Sequence, residues 1–120
     1  MDKVIKISTN AVEIVDLPEA KYAQARLEWM YQQIGCEYIE TVPTYRFDVR
    51  YQMVVDEEGK LNNAEYNPIA SWLYGPGDVI VGTALLMKVT NEEDPDLGGM
   101  SEEEARHILM TIGDLITKVK

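Results

Sequence analysis

The chain has 120 residues, 21 acidic and 11 basic, for a formal net charge of -10. That length suits one domain with a core formed without disulfides, and 46% apolar with 27% charged residues excludes wholesale disorder. The acidic balance excludes a nucleic-acid backbone or an anionic membrane as the main partner, since both need clustered Lys and Arg.

Residues 3–7 (K-V-I-K-I) and 12–15 (V-E-I-V) are short and β-branched, and Ser8-Thr9-Asn10 between them supplies a turn, so a β-hairpin is expected. Asp16, Pro18 and Glu19 have the chemistry of a helix start, with Asp16 as cap. Ala23, Leu27, Met30 and Ile34 then repeat at helical spacing up to Gly35, predicting a helix over 18–34 with a left-handed glycine cap. A strand is expected over 36–42, stopped by Pro43. A second is expected over 45–55, where Tyr45, Phe47, Val49, Tyr51 and Met53 alternate with Arg46, Asp48, Arg50 and Gln52.

Asp56-Glu57-Glu58-Gly59 predicts a tight turn, with Gly59 free to take positive φ. Asn67 and Pro68 predict a capped short helix over 68–73 that turns Ile69, Trp72 and Leu73 inward and is broken by Gly75-Pro76-Gly77. Residues 78–89 are apolar enough for a strand covered on both faces, bent at Gly82. An acidic loop over 91–100 leads to Ser101 and Glu104, a capping box for a last helix. Ala105, Ile108, Leu109, Ile112, Ile116 and Val119 form its stripe, and Lys118 and Lys120 suit its carboxyl end. The expected fold class is α+β: one domain of order ββαβββαβα, with helices packed on a mostly antiparallel sheet.

Catalytic constellations are sparse. His107, the lone histidine, shares a helix face with Glu103 and Glu104, which a solvated helix surface explains as well as a general base does. Cys36, the lone cysteine, has no basic neighbour or helix N-terminus to activate it and reads as a half-buried strand residue. It also excludes an intrachain disulfide, which suits a reducing cytoplasm. No secretory leader and no apolar run of ~18 residues is visible, so neither export nor a membrane span is expected. The glycines at 75, 77 and 82 precede a strand rather than a helix, unlike a phosphate-binding loop. The acids at 92, 93, 94 and 96 lack calcium-loop spacing. No catalytic residue, metal or cofactor is expected.

Arg46 and Arg50 stand out as two guanidinium groups on one strand face, flanking Asp48. Pairing with acids on a neighbouring strand is one reading. A two-arginine clamp for an anionic ligand or acidic partner is the other.

Val54-Val55-Asp56-Glu57-Glu58-Gly59-Lys60-Leu61, then Asn67-Pro68-Ile69-Ala70, Leu73-Tyr74-Gly75 and Asp78-Val79-Ile80-Val81-Gly82 resemble a family of small uncharacterised proteins carrying a domain-of-unknown-function label. That family's pattern is Asp-Glu-x-Gly-Lys-Leu, Asn-x-x-Ala, then Asp-x-Ile-x-Gly. The upstream Gly35-Cys36-Glu37-Tyr38-Ile39-Glu40 is similar to its Gly-Gly-Tyr-Ile-Glu strand, without the glycine pair. The resemblance implies a bacterial phage, plasmid or conjugative-element setting and brings no reaction with it. It divides the chain into a family-like core, 1–90, and an acidic loop with a C-terminal helix, 91–120, packed on the same domain.

The expected function is a non-enzymatic binding protein, a homodimer, acting on a host protein or small anionic ligand. The candidate ligand-binding residues are Arg46, Arg50, Asn67 and Tyr74. Sequestration of a nucleotide-derived signal and acidic DNA mimicry are the alternatives. The wide apolar stripe of the last helix carries the dimer expectation. Mimicry ranks last, because seven of the 21 acids fall within 91–104, so the charge is local.

Overall fold

The structure, a computed structural model, describes residues 2–19, 22–90 and 97–119. The acidic run at 91–96, Lys120, and the side chains of Ala23, Leu115, Ile116, Lys118 and Val119 lie outside the described residues. In chain order come β1 (Lys3–Ile7), β2 (Val12–Asp16), α1 (Ala23–Ile34), β3 (Ile39–Pro43), β4 (Tyr51–Asp56), α2 (Pro68–Tyr74), β5 (Ala84–Val89), β6 (Leu97–Gly98) and α3 (Glu102–Val119). The order is therefore ββαββαββα. Two strands rather than three separate the first two helices, and β6 is an addition.

The class is α+β, and every strand pairing is antiparallel: β2-β1-β5-β4-β3, with β6 also on β5. β5 reads as continuously apolar because both of its faces are covered. Ala84 and Leu86 enter one core with Ile5, Ile7, Met53 and Val55. Leu85 and Met87 enter the opposite one with Val4 and Val54. Each such buried Val, Leu, Ile or Met side chain contributes roughly 1.5–3 kcal/mol. α2 and α3 cover the first face through Ala70, Leu73, Ala105, Ile108 and Ile112. α1 covers the second through Met30, with Trp29 and Ile34 partly buried beside it.

Several local expectations hold. Gly35 closes α1 in the left-handed region (φ 77°), and its N–H donates to the Tyr31 carbonyl. Asn67 caps α2 by accepting the Ala70 N–H at 3.0 Å. Leu73 is fully buried, while Ile69 and Trp72 are half-buried against the same core.

Others are corrected. α1 starts at Ala23, not Pro18, because Asp16 belongs to β2 opposite Lys3 and its carboxylate holds the Lys3 ammonium. The next residue, Leu17, is buried and donates its N–H to the Asp2 carbonyl at 2.8 Å, so the chain stays extended there. The second central strand starts at Tyr51, and 44–50 form the turn-rich connection of the β3–β4 hairpin. Cys36 precedes β3, and Pro43 ends β3 inside the ladder, tolerated because β3 is an edge strand. Residues 78–83 are irregular apart from a bridge at Val81 to Tyr66, and Gly82 (φ 77°) makes the bend before β5. Gly59 does not take positive φ; Asn63 does, at 56°. Glycine is needed at 59 for close approach, since a Cβ there would lie 2.9 Å from Val81 Cγ2.

Candidate functional site

The 44–50 connection is a braced loop. Thr44 is buried, and its hydroxyl is shared between the Asp48 carbonyl at 3.0 Å and the Tyr51 carbonyl at 3.2 Å. The Phe47 N–H donates to the Thr44 carbonyl and the Tyr51 N–H to the Asp48 carbonyl, both at 3.0 Å. The Arg46 N–H reaches the Leu73 carbonyl at the end of α2, 3.2 Å away. The Arg50 carbonyl accepts the Val89 N–H at 2.8 Å. The loop is thus tied to β4, β5 and α2 by its own backbone, which lowers the ordering cost of any contact it makes.

Loop and α3 enclose an open groove of about 520 Å³, lined by Arg46, Phe47, Asp48, Arg50 and Tyr51 on one side and Glu104, His107, Ile108 and Thr111 on the other. The two arginines are together, but not as neighbours on a strand face. The Arg46 guanidinium sits over the Trp72 ring, 5.4 Å from its centroid, a stabilising cation–π arrangement. Among the described residues no carboxylate pairs with it. Arg50 is engaged: its Nη2 donates to Asp48 Oδ2 at 2.7 Å, and its Nε lies 3.1–3.2 Å from both carboxylate oxygens. Those bonds, with the Arg50 N–H at 2.9 Å, hold the Asp48 carboxyl below its ordinary range. The pairing foreseen with a neighbouring strand is instead made within the loop.

At the back of the groove, the half-buried Glu104 carboxylate accepts the Tyr51 hydroxyl and the Lys88 ammonium, the latter at 3.0 Å. The tyrosine hydrogen bond, then the lysine, holds Glu104 below the usual carboxylate range. Burial, then the Glu104 carboxylate, pushes Tyr51 up to about 12. An unfolded tyrosine ionises near 10, so above that pH the unfolded chain loses its proton first. Stability is complete below pH 10 and falls as pH rises toward 12. Urea unfolding should show the wild type losing about 2 kcal/mol more than Tyr51→Phe across that window. Parallel pH profiles for the two proteins would contradict the buried phenol–carboxylate pair.

The remaining candidates lie apart. Asn67 is 0% exposed, with its amide donating to the carbonyls of Ile7 (2.9 Å) and Gly82 (2.8 Å), so it is a structural residue rather than a ligand contact. Tyr74 packs edge-on to Tyr45, ring centroids 5.5 Å apart, and faces a different hollow of about 320 Å³ beside the Lys60–Asp78 ion pair. His107 is exposed on the groove rim. Cys36 lies outside the groove, with its thiol pushed up by burial and then by Asp56. Among the described residues no group of His, Cys, Asp and Glu is placed to hold a metal, and no helix is long and apolar enough to cross a membrane.

No sequence signal marks Thr44 as part of the site, or joins Tyr51 and Lys88 to Glu104. Half of the Ser101–Glu104 capping box forms, since the Glu104 N–H donates to Ser101 Oγ at 3.1 Å. The Glu104 side chain goes to Tyr51 and Lys88 instead, contacts between residues 53 and 16 positions apart that no local spacing encodes.

These features define a single-domain α+β protein with a mixed-charge groove at one hairpin end. The chain belongs to the family described as domain of unknown function (DUF3846), whose model matches residues 1–112. The match continues past the expected limit at 90 and through the first three turns of α3, so the four α3 residues that line the groove fall inside it. No curated protein and no solved structure matches the chain.

Proposed function

We propose that this is a non-enzymatic binding protein that takes a small anionic ligand in the groove between the 44–50 loop and α3. The observation that supports it is Arg46. Its guanidinium is exposed, fixed over Trp72 and unpaired by any carboxylate among the described residues. Guanidinium binds carboxylate and phosphate in a planar, two-point geometry, and a stacked one loses little freedom in doing so. Arg50 and His107 line the same groove and add donors.

Titration calorimetry of the full chain with acetate and inorganic phosphate tests this reading. At least one should give saturable heat, and Arg46→Ala should weaken it tenfold or more, about 1.4 kcal/mol. Arg46→Lys should restore only part, because an ammonium lacks the planar fork. Silence from both anions, or binding that Arg46→Ala leaves intact, would remove the proposal.

Docking of a host protein is a second reading, favoured by Tyr45 and Val49, which are 70% and 92% exposed on the same loop. Exposed apolar groups on a braced loop are a feature of contact surfaces. Native co-purification separates the two. Recovery of a small molecule supports the first reading, and recovery of a protein that Tyr45→Ser and Val49→Ser abolish supports the second. Self-association belongs to this proposal too, supported by Met110, 70% exposed on α3. Light scattering after size exclusion should then report a dimer, shifted toward monomer by Met110→Lys. A monomer at micromolar concentration would exclude it.

A further inference from the structure

We propose that the ligand is an organic anion with one acidic group on a planar apolar body, bound across two adjoining hollows that share the Phe47 and Tyr51 side chains. This rests on the anion-binding reading above and adds the ligand's chemical class. The odd and even residues of the loop part company. Arg46, Asp48 and Arg50 line the polar groove, whereas Tyr45 and Val49, with Pro43, line a second hollow of about 300 Å³. Phe47 and Tyr51 line both, their rings 5.7 Å apart and tilted by 48°.

An inorganic anion at Arg46 would leave the exposed Tyr45 and Val49 and the half-buried Phe47 in water. A ligand carrying a ring covers part of that surface, and each apolar Å² removed from water adds to affinity. The volumes of the two hollows fall in the range of small-molecule sites, roughly 300–1,000 Å³. The limit of one acidic group follows from the groove's own carboxylates. Asp48 and Glu104 are both ionised and paired, so a second acidic group on the ligand would face like charge, with no unpaired arginine or lysine left among the described residues that line the groove. Arg46 reads the acidic group, and the aromatic and aliphatic groups read the body.

The test is a titration of the full chain at fixed ionic strength with two matched pairs: acetate against benzoate, and inorganic phosphate against phenyl phosphate. The ringed member of at least one pair should bind tenfold or more tighter than its ringless partner, and which pair responds tells carboxylate from phosphate. Tyr45→Ser and Val49→Ser, both at exposed positions, should shrink that ratio below threefold without changing the affinity of the ringless anion. Equal affinity within both pairs overturns this inference while leaving anion binding in place. No saturable heat from acetate or inorganic phosphate overturns the anion-binding reading and this inference with it. A ring preference that survives both loop substitutions also overturns it, because the body would then lie elsewhere.

Discussion

Replacing Asn67 by alanine is expected to cost about 4 kcal/mol of folding stability, the sum of a lost cap and orphaned buried groups. The side chain is 0% exposed and makes three hydrogen bonds to three different parts of the chain. Its amide donates to Ile7 at the end of β1 and to Gly82 at the bend before β5, and its oxygen accepts the Ala70 N–H in the first turn of α2. The cap alone is worth about 1 kcal/mol. A buried carbonyl left without a donor adds about 1–3 kcal/mol, the full amount at Ile7 and less at Gly82, where the bond is only partly buried. Asn67→Asp separates these contributions, because it keeps the acceptor for Ala70 but turns a carboxylate oxygen toward two carbonyls. It should be at least as unstable as the alanine variant. Urea unfolding followed by tryptophan fluorescence measures both, and an aspartate variant close to wild type would mean that only the cap matters. α2 also carries Trp72 beneath Arg46, so the same substitution loosens the floor of the anion site.

Gly99→Ala is expected to cost about 3 kcal/mol, from overpacking and one or two weakened hydrogen bonds. A Cβ at 99 would lie 2.8 Å from the Lys3 carbonyl oxygen, 2.7 Å from Asp2 Cβ and 3.2 Å from Leu17 Cδ2. A backbone oxygen cannot rotate away as a side chain can. The adjacent Met100 exchanges both backbone hydrogen bonds with Lys3, at 2.7 and 2.8 Å, and a methyl wedged there drives the two segments apart. Gly113→Ala is the control: its Cβ would meet nothing within 4 Å, and it sits inside α3. It should stabilise by roughly 0.5–1 kcal/mol through helix propensity. Equal effects of the two substitutions would contradict the close approach at 99. Since α3 starts three residues after Gly99 and presents Glu104 and His107 to the groove, Gly99→Ala should also weaken anion binding.

Local chemistry was legible wherever one residue answers to its immediate neighbours. The first hairpin, the Gly35 cap, the Asn67 cap and the Ser101 cap were read correctly because each interaction spans only a few residues. Asp16 misled because the same carboxylate suits a helix cap and a cross-strand ion pair, and its register opposite Lys3 decides between them. The alternation over 45–50 is real, but it separates two sides of a loop, not two faces of a strand. A buried Thr44 hydroxyl and the Asp48–Arg50 bonds fold that stretch, and neither changes the hydrophobic pattern. The arginines were legible as residues, whereas their inequality was not. It depends on Asp48 engaging one and on Trp72, far along the chain, receiving the other. Asn67 was legible as a cap and mistaken for a ligand contact, because a sequence does not show that its amide is already satisfied by Ile7 and Gly82.

The most direct test of the central claim is an amide chemical-shift map of the full chain titrated with benzoate and with inorganic phosphate. Anion binding in the groove predicts the largest shifts at 46–51 and 104–111, saturating together and vanishing in Arg46→Ala. Shifts centred on the Lys60–Asp78 hollow, or scattered without saturation, would contradict it.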